Sequence, residues 1–183
     1  MEPTIRSLTL ADRQRFQEHI GRVRAESGRG GDLPFTPTTP ADQVDPAKLD
    51  IEAYARPLTE PKWRRAFVLV SEDGSIVGHV DLQGDQFRAG LHRCELGIGI
   101  ERPYRRLGFG RRLLENAIEL ARASRTIDWI DLYVFGHNVA AQALYRALGF
   151  KEAGKVTDRF RIDGRSIDDV IMTLELADEG QAS

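Results

Sequence analysis

A single cysteine, Cys94, stands in 183 residues, which excludes an intrachain disulfide and any Cys-x-x-Cys metal site. No run approaches the ~18 apolar residues that mark a membrane span. Charge of one sign is also lacking: 26 basic and 28 acidic residues leave −2, so no global basic field is offered to nucleic acid. Lysine is scarce beside arginine. Met1 to Leu10 carries charges and no apolar core, so it does not read as a signal peptide. What is present, 41% hydrophobic and 30% charged, is ordinary for a soluble globular protein. The length suits one domain over 1–177 with a polar tail over 178–183. The expected location is the cytoplasm, and a homodimer is compatible with this composition.

Periodicity divides the chain into α and β segments. Thr4 to Leu8 reads as a short strand. Thr9 to Ala25 reads as a helix, with Leu10, Phe16, Ile20 and Val23 near helical spacing. Ser27 to Val44 is a long Gly/Pro/Thr-rich loop. Pro46 to Leu58 reads as a second helix, Pro46 suiting a first turn. Ala66 to Val70 and Ile76 to Leu82 are strands around the turn Glu72-Asp73-Gly74-Ser75. Arg93 to Ile100 is a further strand. Gly110 to Ala123 is an amphipathic helix with Leu113, Leu114, Ala117, Ile118 and Ala121 on one face. Ile127 to Phe135 is a strand, and Asn138 to Leu148 a helix with Asn138 at its N-cap and Gly149 past its end. Phe160 to Ile162 and Val170 to Leu176 close the chain as strands around Asp163-Gly164. The expected fold class is α/β: a mixed, mostly antiparallel sheet of about seven strands with about four helices.

Between the Arg93–Ile100 strand and the following helix lies Arg105-Arg106-Leu107-Gly108-Phe109-Gly110-Arg111-Arg112. Two glycines one residue apart allow a tight turn that gathers backbone N–H groups toward one point. The helix opening there adds unpaired N–H groups and the positive end of its dipole, and four arginines surround the turn. Such a turn suits a pyrophosphate. A Walker-type loop would need Lys and Ser/Thr after its second glycine, and Arg111 and Arg112 stand there. A dinucleotide fingerprint would need a third glycine, where Leu113 stands.

The pattern Arg105-x-x-Gly108-x-Gly110 resembles the acetyl-CoA loop of the GNAT acetyltransferase superfamily. Asn138 to Tyr145, followed by Arg146-Ala147-Leu148-Gly149-Phe150, resembles that family's second conserved block. Asp163-Gly164 and Asp168 to Leu174 resemble the ending of its ribosomal-protein N-terminal and small-amine branches. The resemblance spans about Ile5 to Leu176. It implies acetyl-CoA as co-substrate, a direct transfer to a primary amine in a ternary complex, and cofactor contacts from Ile98, Gly99, Ile100, Arg105, Arg106, Leu107, Gly108, Phe109, Gly110, Arg111, Asn138 and Tyr145. The pantetheine arm would pair with the Arg93–Ile100 strand like an added strand, one N–H meeting the thioester oxygen.

Transfer to an amine needs an anchored cofactor, a polarised carbonyl, a neutral amine and a protonated leaving thiolate. On the expected strand, Leu96, Ile98 and Ile100 share one face and Glu95, Gly97 and Gly99 the other. The two glycines read either as bare backbone for a ligand or as a bulge. Glu95 is the candidate base or water-relay residue, or else a structural carboxylate paired with Arg93; Glu101 is a weaker candidate. Tyr145 is the candidate acid, or a core aromatic on the face of Ala141 and Leu148. Asn138 caps its helix, contacts pantetheine, or does both. Cys94 reads as a small core residue, because nothing nearby would lower its pKa. His79, His92 and His137 are scattered without metal-ligand spacing, and His137 reads as a loop residue beside the cleft. The acceptor pocket is expected from Gly28 to Pro40 and the turn at Asp163, with Asp158, Asp163, Asp168 and Asp169 suiting a cationic amine or peptide N-terminus. The alternatives to a small-amine enzyme are a protein N-terminal acetyltransferase and a non-catalytic acyl-CoA sensor on the same fold.

Overall fold

The structure, a computed structural model, describes residues 2–37 and 50–176; the tail expected over 178–183 lies outside them. The elements are β1 (Thr4–Ser7), α1 (Arg13–Glu26), β2 (Arg64–Val70), β3 (Ile76–Gly84), β4 (Arg93–Ile100), α2 (Phe109–Ser124), β5 (Trp129–Phe135), α3 (Val139–Ala147), β6 (Lys151–Ile162) and β7 (Arg165–Glu175). The seven strands form one sheet in the order β1-β2-β3-β4-β5-β7-β6, and every pairing is antiparallel except β4 with β5. The α2 connection is the crossover that a parallel pair requires. The expected mixed, mostly antiparallel sheet is therefore present.

Three α-helices stand among the described residues rather than four. Residues 46–49 of the expected second helix lie outside the described set, and Ile51–Tyr54 form a 3₁₀ turn capped by Asp50, whose carboxylate accepts from Ala53 N–H. Pro57 disfavours helical backbone at Arg56, so the turn is not extended. β6 begins at Lys151, well before the expected Phe160, and β7 begins at Arg165 rather than Val170. β6 is an edge strand, mostly exposed, with two register shifts against β7; charged residues on both faces erase the alternation by which a strand is read. No helix among the described residues is long and apolar enough to cross a membrane.

The sheet has two covered faces. On one, Leu82, Leu96, Ile130, Leu132 and Met172 pack against the apolar stripe of α2, Leu113, Leu114, Ala117, Ile118 and Ala121, all buried as the spacing predicts. On the other, α1 sets Phe16 against Ala66, Val68 and Ile76, with Ile51 and Tyr54 alongside.

The feature that shapes the site is the brevity of the parallel pairing. Only Arg93, Cys94 and Glu95 pair with Trp129, Ile130 and Asp131, although the strands continue to Ile100 and Phe135. Arg93 pins the paired end: its Nε and Nη2 donate to Asp131 at 2.8 and 2.6 Å, and its guanidinium lies 4.8 Å from the Trp129 ring centroid. Beyond Glu95 no pairing joins the two strands, and the unpaired stretch between them is the opening called here the V.

The entry into α1 is fixed by Asp12, which is fully buried. Its carboxylate accepts from Thr9 N–H (3.0 Å), Thr9 Oγ1 (2.8 Å), Arg6 (2.6 and 2.8 Å) and Arg15 (2.6 Å). Arg6, chiefly, holds the carboxyl well below the usual range, against the opposing effect of burial. A depressed pKa stabilises the fold above the ordinary carboxylate range, and that contribution fades as pH falls through it. Asp12→Asn is expected to cost about 2–3 kcal/mol at neutral pH by urea denaturation. The gap from the parent should narrow below about pH 4.

Candidate active site

Gly108 adopts φ +84° and Arg106 φ +61°, turning the chain from β4 into α2. The first bond into the helix is Arg112 N–H to Gly108 O at 3.3 Å. The N–H groups of Arg106, Leu107, Gly108, Phe109, Gly110 and Arg111 therefore have no hydrogen-bond partner among the described residues. A Cβ on Gly108 would meet nothing within 4 Å, so the space above it is open. A Cβ on Gly110 would meet Ile100 Cδ1 at 3.5 Å and Leu144 Cδ2 at 3.6 Å, ordinary packing. Phe109 is buried and anchors the turn in the core, while Leu107 is exposed.

The arginines divide. Arg105 does not point into the turn: its Nε donates to Ile100 O (2.7 Å), Nη1 binds Asp32 (2.6 Å), Nη2 binds Glu26, and the guanidinium stacks on Phe35 at 4.8 Å. Arg111 pairs with Glu115 at 3.6 Å and Arg112 with Glu2 at 2.7 Å. Arg106 is exposed and unpartnered among the described residues. Anion-binding capacity thus resides in the backbone row and in Arg106 and Arg111, with Arg105 as a tie.

That tie fastens a strap. Residues 27–37 leave α1, and Ser27 Oγ accepts from Phe35 N–H (2.9 Å) and Thr36 N–H (3.2 Å). Asp32 is held by Arg102 and Arg105 beyond β4, and Pro34 O bonds His137 Nε2 (2.7 Å) beyond β5. The strap so bridges the wide mouth of the V. The part of the expected pocket loop from residue 38 to 40 lies outside the described residues.

Backbone alternation assigns the groups at the opening. Glu101 N–H donates to Val77 O at 3.0 Å, so Val77 and Glu101 form a hydrogen-bonded pair, as do His79/Gly99 and Asp81/Gly97 in the same register. Leu96, Ile98 and Ile100 therefore direct their backbone groups to the open edge. Gly99 directs its own to β3, so of Ile98, Gly99 and Ile100 only the isoleucines offer an N–H to the opening.

The two faces of the sheet carry opposite chemistry around the V. On the α2/α3 side Tyr145 is buried against Phe150, ring centroids 5.8 Å apart, and its hydroxyl has no hydrogen-bond partner among the described residues. Burial pushes its pKa up to about 12, so it keeps its proton at neutral pH. Asn138 caps α3, its Oδ1 accepting from Ala141 N–H at 3.2 Å. On the α1 side Glu95 is exposed, and its pKa is raised by partial desolvation and by Asp131 and Asp169, with Arg64 opposing. Asp169 is buried and likewise raised by desolvation. Tyr133 lies exposed between them on β5.

Asp81, His79 and His19, none of them a sequence candidate, complete this face. A Cβ on Gly97 would lie 2.8 Å from Asp81 Oδ1, and one on Gly99 would lie 2.7 Å from His79 Cε1. The glycines are thus seats over which two β3 side chains reach onto β4, and β3–β4 pairing has no bulge. Asp81 binds Arg64 Nη1 at 2.9 Å, and burial raises it to about 6. His19 Nδ1 lies 2.8 Å from Glu101 Oε1, and His19 Nε2 lies 2.8 Å from His79 Nδ1. Glu101, a weaker base candidate in the sequence, is committed to His19 and to Arg22 Nε (3.0 Å). Only the strand register could have disclosed this cluster, because His19, His79 and Glu101 are distant in the chain.

Other expected residues fall elsewhere. Asp158 pairs with Arg161 and Asp168 with Lys155, and Asp163 sits in the turn between β6 and β7; of the four carboxylates only Asp169 acts on Glu95. Cys94 is buried with its thiol pushed up to about 12, which leaves it protonated.

Residues 35–150 match the Acetyltransferase (GNAT) family. The chain belongs to this family. It is 29% identical to the N-alpha-acetyltransferase RimI of Mycobacterium tuberculosis over 165 residues, 88% of this chain and 86% of the relative. It is 39% identical to the ribosomal protein bS18-alanine N-acetyltransferase of Escherichia coli over 82 residues, 44% of this chain and 53% of that relative. The GNAT-family acetyltransferase structure from Streptococcus pneumoniae superposes with a TM-score of 0.82 at 26% identity, covering 95% of this chain and 99% of that one. The YncA structure from Salmonella typhimurium, solved with its cofactor acetyl-CoA, shares the fold with a TM-score of 0.79 at 20% identity, covering 100% of this chain and 99% of that one.

As a GNAT N-acetyltransferase the chain uses acetyl-CoA, which supplies an activated acetyl group as a thioester. The turn fits this co-substrate: six consecutive unpartnered N–H groups and a vacant Cβ position at Gly108 are what a pyrophosphate needs. Gly108→Asp should weaken acetyl-CoA binding by about 3 kcal/mol, on the order of 100-fold, by calorimetry. Gly110→Ala should stay near the parent. Equal affinities for the parent and Gly108→Asp would place the anchor elsewhere.

Proposed function

We propose that the acceptor is a small cationic primary amine or amino-acid-like molecule, acetylated by direct transfer between the two bound substrates. The observation that carries this reading is the pairing of an acidic α1-side face, Glu95, Asp81 and Asp169, with a strap over the mouth of the V. The acidic face favours an ammonium, and the strap limits its size. An ammonium must lose a proton before it attacks, and Glu95, at the last paired residue of β4, is the acceptor, its proton affinity raised by partial desolvation. Ile98 N–H, on the open edge, is the donor for the thioester oxygen, Ile100 N–H its neighbour. Tyr145, on the opposite face, holds a proton that it passes to the departing thiolate. Base and acid thus stand on opposite sides of the sheet with the opening between them.

A second reading is a protein N-terminus as acceptor, favoured by the N-alpha-acetyltransferase similar to this chain over most of its length. The two separate in a screen of CoA release from acetyl-CoA with small amines, amino acids and short peptides. The small compounds should be turned over with the higher kcat/KM. Turnover confined to peptides would reverse the assignment. Glu95→Gln should lower turnover and recover part of it at alkaline pH, where more amine is already neutral; an unchanged pH–rate profile would make Glu95 structural.

Tyr145→Phe tests the acid. It keeps the aromatic volume, so packing should barely change. The chemical step, read in a single turnover, should slow by roughly 10²- to 10⁴-fold while acetyl-CoA binding is retained. An unaffected chemical step would return Tyr145 to the core.

A further inference from the structure

The buried pair His19–His79 has a defined sense of hydrogen bonding. Glu101 is a carboxylate on the Arg22 guanidinium and can only accept, so His19 Nδ1 carries the proton in their 2.8 Å contact. His19 is neutral, lowered to about 4 by burial and by Arg22, so its Nε2 is a lone pair and must accept. His79 Nδ1 therefore donates across the second 2.8 Å contact. His79 is neutral too, lowered by burial first and then by His19, Arg64 and Arg24, so its Nε2 is left as a lone pair. That nitrogen has no partner among the described residues. The ring reaches from β3 across Gly99, one residue from the Ile98 N–H at the opening.

We propose that His79 Nε2 is a second proton acceptor of the acetyl transfer, held in its reactive tautomer by the positioning residues His19 and Glu101. The proposal rests on the acceptor entering from the α1 face. An ammonium that becomes an amide loses two protons. The first, lost as the amine becomes neutral, goes to Glu95 at the exposed end of the site. The second leaves nitrogen as the N–C bond forms and the C–S bond breaks, and His79 Nε2 takes it. Tyr145 supplies the proton that the sulfur gains, so one proton in net is released. As His79 gains a proton at Nε2, its Nδ1–H can pass to His19 Nε2 and the His19 Nδ1–H to Glu101. The positive charge is thereby moved to a carboxylate beside the half-exposed Arg22.

The groups around His79 fit this task. On the same face Asp81 on β3 binds Arg64 on β2, and Arg64 is one of the cations that disfavour charge on His79. From α1 come His19, Arg22 and Arg24, and the Phe16 ring packs edge-on at 5.4 Å. The cationic groups keep His79 unprotonated before the reaction, and Glu101, reached through His19, stabilises the imidazolium once formed. This is the logic of a histidine oriented by a carboxylate, with one more imidazole in between.

Two measurements decide it. Nitrogen-15 NMR of histidine-labelled protein, with no acceptor present, should show both rings as Nδ1–H tautomers at neutral pH. Glu101→Gln should disturb the His79 tautomer although, of the two rings, Glu101 touches only that of His19. Protonated Nε2 on His79 in the parent would overturn the proposal whatever the acceptor is. In single-turnover transfer to the best amine of the screen, His79→Gln should slow the chemical step by roughly 10²- to 10⁴-fold. His79→Gly, which opens a space over Gly99, should regain rate with added free imidazole. His19→Gln should slow transfer less and shift the acid limb of the pH–rate profile. A parent-like rate in folded, acetyl-CoA-binding His79→Gln, or no gain from imidazole, would overturn it. Failure of every amine in the screen would instead fall on the acceptor reading and leave the tautomer measurement to judge His79.

Discussion

Parallel pairing between β4 and β5 stops after three residues, and the Arg93–Asp131 ion pair marks where it stops. The guanidinium reaches Asp131 with two nitrogens while covering Trp129, and Thr173 Oγ1 on β7 donates to the same carboxylate at 2.8 Å. This clamp joins three strands at the closed end of the V. Past it, β5 remains fully paired with β7 and β4 with β3, so each side of the opening is rigid although the opening itself is unpaired. A free strand edge inside a protein is costly unless a partner satisfies it. Here the edge of β4 is available to an extended ligand. The strap over the other end, tied by Arg102 and Arg105 on one side and His137 on the other, makes the opening a passage with two walls and a cover.

The two faces of the sheet shift the groups they carry in ways that follow from the same geometry. A group on the α2/α3 side is surrounded by the main core, so burial raises a phenol and keeps it a donor, as at Tyr145. On the α1 side desolvation raises Asp81 and Glu95 against the opposing Arg64, assisted by Glu95 at Asp81 and by Asp131 and Asp169 at Glu95. Both shifts have desolvation as their largest cause, because burial favours the protonated form of each group. For a phenol that form was already the stable one. For a carboxyl the shift favours the protonated form that is ordinarily the less stable one.

Much of this was legible in the sequence. Local patterns gave β4 with its true limits, α2 within a residue at each end, and the glycine turn between them, because period, cap and turn chemistry agreed there. The edge strand β6 was not legible, since a mostly exposed strand has no apolar face to alternate. The direction of the Arg105 side chain was not legible either: its partners Glu26 and Asp32 lie on the far side of the sequence. The same holds for His19, His79 and Asp81, whose roles depend on strand register and on one helix crossing it.

Gly97 and Gly99 serve a purpose that neither reading of the sequence named. In sequence they suggest either bare backbone for a ligand or a bulge. The pairing of β3 with β4 is regular, which removes the bulge. Their backbone groups point to β3, so the hydrogen bonds offered to a ligand come from their neighbours Ile98 and Ile100. The missing side chains serve Asp81 and His79, which would collide with any Cβ at those positions. An Asp or His on β3 would ordinarily stand off a strand face at some distance from its neighbour's edge. Two glycines let both reach over β4, with Asp81 Oδ1 above Gly97 and the edge of the His79 ring above Gly99. The strand whose Ile98 and Ile100 N–H groups face the open edge is thus also the one that admits Asp81 and His79 to its side, and it does so by what it omits.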